Sequence, residues 1–254
     1  MAIKKRSRIG FSQVITTQWL DLTANHMLRN TALKDIRSSL DETLAVSVSV
    51  NSDAKRNDRQ KTISILLRTW ARPHPSLESF RDEGLELFSM APNGLRRCAH
   101  YGMAISSYQF TAAVAETLGR LFRLQGYAKG LEVQLRMKER FGPRQTVSRA
   151  TRGVLRSFTD WGFIRSGEMA GKYIPAGRIR ITDPGMARWL VEAALNSTES
   201  GSGLFQALVS GPALFPFELD IVRDRAPVMS ERVEVISHGW DDFILKLRFQ
   251  KLAF

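Results

Sequence analysis

The stretch that most constrains how this chain folds is 145–160, QTVSRATRGVLRSFTD. Val147, Thr151, Val154, Leu155 and Phe158 recur at i, i+4, i+7, i+8 and i+11, the spacing of one core-facing stripe on an α-helix. Arg149, Arg152 and Arg156 recur at i, i+3 and i+7 and therefore share a different face. Phe141-Gly142-Pro143 before this helix reads as a tight turn, because glycine allows a positive φ and proline cannot sit inside a helix. A shorter helix over 130–140 is expected to offer Leu131 and Leu135, with Met137 beside them, to a shared core. Trp161-Gly162-Phe163-Ile164 then closes the long helix and starts a strand. Residues 165–182 read as a small hairpin with a basic tip and edge. In its last part Ile179 and Ile181 fall on one strand face, and Arg178 and Arg180 on the other.

Charge marks the same region. The net charge is +12. Residues 129–182 hold 12 Lys and Arg against 4 Asp and Glu, a surplus of 8. The first ten residues add four more bases, Lys4, Lys5, Arg6 and Arg8. Everything else contains 21 bases and 21 acids and is neutral. Arginines beside an apolar stripe are often no more than a solvated face. Charge confined to one segment and one terminal arm, with a neutral remainder, instead has the form of a phosphate-binding footprint.

The residue types suit duplex DNA. Side chains at the start of a helix that enters the major groove reach base edges, and flanking arginines grip phosphate. Gln145, Ser148 and Arg149 are expected nearest the bases, since arginine pairs bidentately with guanine and glutamine with adenine. Arg144, Arg152, Arg156, Lys172, Arg178 and Arg180 are expected on phosphate, together with Lys4, Lys5 and Arg6 of the arm. About six such contacts would give roughly micromolar non-specific affinity and a steep salt dependence.

Residues 129–195 resemble the winged helix-turn-helix DNA-binding proteins: helix, Gly-Pro turn, arginine-faced helix, basic hairpin and a following helix. The resemblance implies duplex DNA binding by the second helix and the wing. The run VSRATRGVLRSFTDWGFI also resembles the C-terminal segment of the small DNA-binding protein encoded with BREX-type phage-defence systems. That likeness implies a non-enzymatic DNA-binding accessory of bacterial antiviral defence. It transfers no individual residue and leaves 183–254 unmatched.

The rest of the chain sets the architecture. Residues 1–11 form a basic arm, read either as a solubilising tail or as an arm along phosphates. From Ser12 the spacing of Ile15, Trp19, Leu22 and Met27 predicts helix, continued through Ile36, Leu40 and Leu44. Residues 45–50 alternate apolar and polar, as a short strand or an irregular helix exit would. A helix over 54–71 presents Ile63, Leu66, Leu67 and Trp70, and its run Lys55, Arg56, Arg59, Lys61 reads as a solvated face beside Asp53 and Asp58. Ser76 is a candidate N-cap, and 95–125 reads as helix stopped by Gly126. Asp183-Pro184 starts a further helix bearing an exposed-looking Trp189. Asn196 to Gly203, NSTESGSG, reads as a flexible linker. Beyond it, 233–236 and 243–247 are candidate paired strands.

The expected architecture is mainly α. A helical domain over 12–126 follows the arm, then a winged-helix domain over 127–195 and a small α+β segment over 204–254. Cys98 is the only cysteine, so a disulfide-stapled secreted fold is excluded. No apolar run approaches the roughly 18 to 20 residues of a membrane span, and the basic N-terminus lacks the apolar stretch of a secretory signal. The expected location is the cytoplasm. His26, His74, His100 and His238 are scattered and none forms a metal pair with Cys98, so no metal site, cofactor or catalytic set is expected. The expected partner is double-stranded DNA, with other proteins of a defence complex or a second copy as further partners and no membrane. The alternative is a protein-assembly scaffold or transcription regulator whose basic face meets an acidic partner.

Overall fold

The structure, a computed structural model, describes residues 10–47, 53–221, 226–239 and 242–248. The chain is mainly α. An extended segment ends at Thr16, whose hydroxyl accepts from the Trp19 N–H and caps α1 (Thr17–Leu28). Next come α2 (Leu33–Ser47) and α3 (Asp53–Leu66), which winds on through a π-helical turn at Leu67–Ala71. His74 caps a short 3-10 turn by accepting from the Ser76 N–H, and α4 (Glu78–Met90) follows. A break at Tyr108 separates α5 (Arg96–Ser107) from α6 (Gln109–Gln125), and Gly126, at φ +75°, ends α6.

The chain then runs β1 (Ala128–Lys129), α7 (Gly130–Phe141), α8 (Gln145–Asp160), β2 (Ile164–Ser166) and β3 (Lys172–Pro175). These three strands form one antiparallel sheet in the order β1-β3-β2, with Ala128 opposite Tyr173 and Arg165 opposite Ile174. After β4 (Ile179–Ile181), α9 (Pro184–Ser197) starts at Asp183, whose carboxylate accepts from the Met186 N–H at 2.7 Å. The remaining elements are β5 (Ser202–Leu204), α10 (Phe205–Val209), β6 (Phe217–Leu219), β7 (Val233–His238) and β8 (Asp242–Leu247). β6 pairs in parallel with β4, and β8 lies between β5 and β7 with Val235 opposite Leu245. Among the described residues, no helix is long and apolar enough to cross a membrane.

At the centre is α5, buried without interruption from Cys98 to Ser106. A helix apolar on every side must be enclosed by others. Trp189 of α9 fills the gap against it. A Cβ at Gly84 or Gly102 would come within 2.5 or 2.1 Å of the indole, so only glycine lets the ring in. The ring stacks on Phe80 at 4.4 Å, and its N–H donates to the Phe80 carbonyl at 2.9 Å. Cys98 packs in the same helix as a small apolar side chain, its thiol pushed up to about 12 by burial. The buried side chains of 12–126, 127–195 and 204–254 form one contiguous core.

Several elements depart from expectation, most of them because of a tertiary contact. Residues 12–16 are extended rather than helical. They lie on α8, where their backbone groups find partners that a helix would have supplied. α2 stays helical through Ser47, and the rest of the expected strand over 45–50 lies outside the described residues. Trp189 is fully buried, not exposed. Of the expected loop over 196–203 only 198–201 lies between elements, since Asn196 and Ser197 end α9 and Ser202 and Gly203 start β5, which pairs with β8. Leu131 and Leu135 are 81 % and 58 % exposed, so they do not join the core. Pairing of β1 with β3, and the Gly130 N–H donated to the Gly171 carbonyl, fix the rotation of α7 so that Val133 and Met137 point inward instead.

Two buried polar clusters tie the helices together. Glu192, 2 % exposed at its side chain, accepts from Arg232 Nε at 2.6 Å and from the Ser230 hydroxyl at 2.7 Å. Arg232 also pairs with Glu83 of α4, which takes Arg188 at 2.9 Å. Burial alone would lower the Arg232 pKa, but the bonds to Glu192 and Glu83 outweigh it and raise the value. Glu192→Ala should cost about 3 kcal/mol in denaturant unfolding, because it removes the more buried of the two carboxylates that hold a partly buried guanidinium. In the second cluster the Trp70 indole N–H donates to His100 Nδ1 at 3.1 Å. Indole can only donate, so the proton sits on Nε2, facing Asp21 at 3.1 Å. Burial pushes the His100 pKa below its ordinary value, against the opposing pull of Asp21. The unfolded chain then binds the extra proton first. Stability should therefore be full above about pH 6.5 and fall below it by up to about 1.4 kcal/mol per pH unit. Denaturant titrations across that range should show a shallower slope in His100→Gln.

Candidate nucleic-acid interface

α8 is held from one side by the core and from another by the extended N-terminal segment. Val147, Ala150, Val154, Leu155 and Phe158 are buried, while Arg149, Arg152 and Arg156 are exposed. Thr151 and Ser157 sit inside because their hydroxyls donate to the carbonyls of Val147 and Gly153, one turn back. Residues 10–16 cross the helix as a strap. The Ile15 N–H donates to Ser157 Oγ at 2.8 Å, and the Ile15 carbonyl accepts from the Trp161 indole at 2.8 Å. Asp160 accepts from both the N–H and the hydroxyl of Thr17, which anchors the start of α1. Phe11 is buried edge-on to Tyr108 and Trp161, with ring centroids at 5.2 and 5.9 Å, and holds φ at +55°. Gly153 marks the crossing: a Cβ there would lie 2.5 Å from the Phe11 carbonyl oxygen and 3.0 Å from that of Gln13.

Beside the strap a groove of about 640 Å³ opens between α8 and α3. Arg149, Arg152 and Arg156 line one side, Asn57, Asp58 and Lys61 the other, with Ser12, Gln13 and Val14 of the strap also lining it. Among the described residues the three arginines have no carboxylate partner, whereas Lys61 pairs with Asp58 at 3.1 Å. Like charges three and four residues apart on a helix repel by a few tenths of a kcal/mol per pair. An anion in the groove would relieve that repulsion.

The sequence-predicted residues divide into groups. Gln145, Arg149, Arg152 and Arg156 are exposed along one side of α8, and Ser148 is half-buried next to them. Arg144 is exposed at the helix start, where its guanidinium donates to the Phe141 carbonyl at 2.9 Å. The first turn of α8 has neither a capping side chain nor an acid, which leaves its N–H groups suited to phosphate. The hairpin is shorter than expected and its tip is not basic. It consists of β2 and β3, and residues 167–171 between them carry Glu168 and Met169 but no Lys or Arg. Lys172 opens β3 with its ammonium 4.3 Å from the centre of the Tyr127 ring. Arg178 and Arg180 are not in the hairpin. β4 turns away to pair with β6, so Arg178 donates to the Phe217 carbonyl and Arg180 pairs with Asp220 at 3.2 Å. Lys4, Lys5 and Arg6 lie outside the described residues, which begin at Gly10.

Sequence reasoning missed Asn57, Asp58 and Lys61; it placed Asp58 and Lys61 on a solvated face and did not single out Asn57. Only the fold brings them across from α8, and no local pattern signals it. Comparison with protein-family models, with curated proteins and with solved structures finds no match. The strap makes a direct test possible. Alanine is favoured over glycine in a helix by about 1 kcal/mol, but overpacking against backbone costs about 1–3 kcal/mol. Gly153→Ala should therefore lower stability or leave it level instead of raising it, and limited proteolysis should cut the strap faster than in the parent protein.

Proposed function

We propose that residues 109–175 form a winged helix-turn-helix and that the chain is a non-enzymatic protein that binds double-stranded DNA through the arginine face of α8. The order α6, β1, α7, α8, β2, β3, with the strands arranged β1-β3-β2, supports the first part. In this reading the unit begins at α6, ahead of the 127–195 expected from the sequence. The observation that carries the second part is the set of three exposed arginines that have no carboxylate partner among the described residues, on the helix that such a fold offers to the major groove. The surplus of 8 positive charges over 129–182 supports it further. Gln145, Ser148 and Arg149 would meet base edges. Arg144, Arg152, Arg156 and Lys172 would meet phosphate, and Lys4, Lys5 and Arg6 of the arm would add contacts along the same backbone. The resemblance of VSRATRGVLRSFTDWGFI is the support for placing this activity in bacterial phage defence, in the cytoplasm.

A second reading, a protein-assembly scaffold, draws on Leu131 and Leu135, exposed one turn apart on α7. The two readings separate in a mobility-shift titration with duplex DNA at low and at near-physiological salt. The parent protein should shift the duplex with a midpoint near micromolar at low salt and lose affinity steeply as salt rises. Replacing Arg149, Arg152 and Arg156 together by Glu should abolish the shift, whereas Leu131→Ser with Leu135→Ser should leave it intact. A parent protein that shifts no duplex at low salt, or a triple variant that binds as before, would overturn the DNA reading.

A further inference from the structure

The groove beside α8 indicates how the nucleic acid would be held, and the inference rests on the DNA-binding reading above. We propose that the groove between α3, the strap and α8 grips the sugar-phosphate backbone of one strand of the bound duplex, with Lys61 as the contact opposite the arginines. Its volume of about 640 Å³ is that of a small-ligand cleft, so it admits part of one strand and not a double helix. Arg152 and Arg156, the two groove arginines assigned to phosphate, are four residues apart on α8, about 6 Å of helix axis. That is close to two phosphate-to-phosphate steps of one strand of B-form DNA, at about 3.4 Å of axis each. The other wall is α3, which supplies Lys61 and the neutral donor Asn57. Ser12 and Gln13 of the strap add polar groups to the lining.

Asp58 gives the arrangement a signature. Among the described residues it is the one acid lining the groove, and its carboxylate holds Lys61 at 3.1 Å, three residues away on α3. The two side chains are 48 % and 53 % exposed, so the pair is weakly held and a phosphate can take Lys61 from it. Asp58 is thus a resident competitor for the phosphate. A merely solvated crease would give neither residue any influence on binding. A backbone clamp gives them opposite effects.

The test uses the full chain and fluorescence anisotropy of a short labelled duplex over a series of salt concentrations. Lys61→Ala should weaken binding several-fold and reduce the slope of log affinity against log salt by about one. Asp58→Asn should tighten binding several-fold, an effect that damage to the fold does not produce. Both residues lie on the surface of α3, and matching thermal unfolding curves will show that both variants keep the parent fold. If the two variants match the parent in affinity and slope while Arg149→Glu weakens it, the clamp is refuted and the DNA-binding reading stands. If the parent protein fails to bind the duplex at low salt, both are refuted.

Discussion

Everything in this protein converges on the C-terminal end of α8. Phe158, Trp161 and Phe163 are buried there among rings from three distant parts of the chain: Phe11 of the strap, Tyr101 of α5, and Phe215 and Phe217 of the tail. Edge-to-face pairs of this kind add about 0.5–1.5 kcal/mol each to the area they bury. The Tyr101 hydroxyl donates to the Ala213 carbonyl, so the cluster also satisfies its polar atom. Because α8 ends in this cluster, its rotation is fixed, and with it the direction in which Arg149, Arg152 and Arg156 point.

The strap and the tail both pack on that anchor. The strap closes over Gly153 and forms one edge of the groove. The tail enters through β6, which takes β4 away from the hairpin and with it Arg178 and Arg180. The result is a narrower cationic surface than the sequence alone suggests. It centres on α8 and the groove, with Arg165 and Lys172 left on the hairpin strands.

Features set by neighbouring residues were legible in the sequence. The Asp183-Pro184 cap, the Gly126 stop, the turn before α8, the two faces of α8 and the β7–β8 pairing all depend on short-range chemistry. Features set by distant partners were not. Leu131 and Leu135 form a plausible stripe, but Val133 and Met137 form an equally plausible one, and only the β1–β3 pairing chooses between them. Trp189 looked exposed because Gly84 and Gly102, which make room for it, lie about a hundred residues before it. The arginine side of the candidate site was readable and its opposite wall was not, since Lys61 is some ninety residues from Arg149 in the chain.

The parallel pairing of β4 with β6 carries a consequence for how the chain acquires its shape. Residues 212–219 pack on α6, at Gly119, and on the rings at the end of α8. The strap reaches the same helix across some 140 residues of chain. Contacts this remote in sequence must wait for the intervening loops to close, which slows folding. During synthesis the aromatic end of α8 would lack the cover of Phe215 and Phe217 until residue 219 has emerged. That makes the interval between α8 and β6 the period in which the nascent chain is most exposed to aggregation.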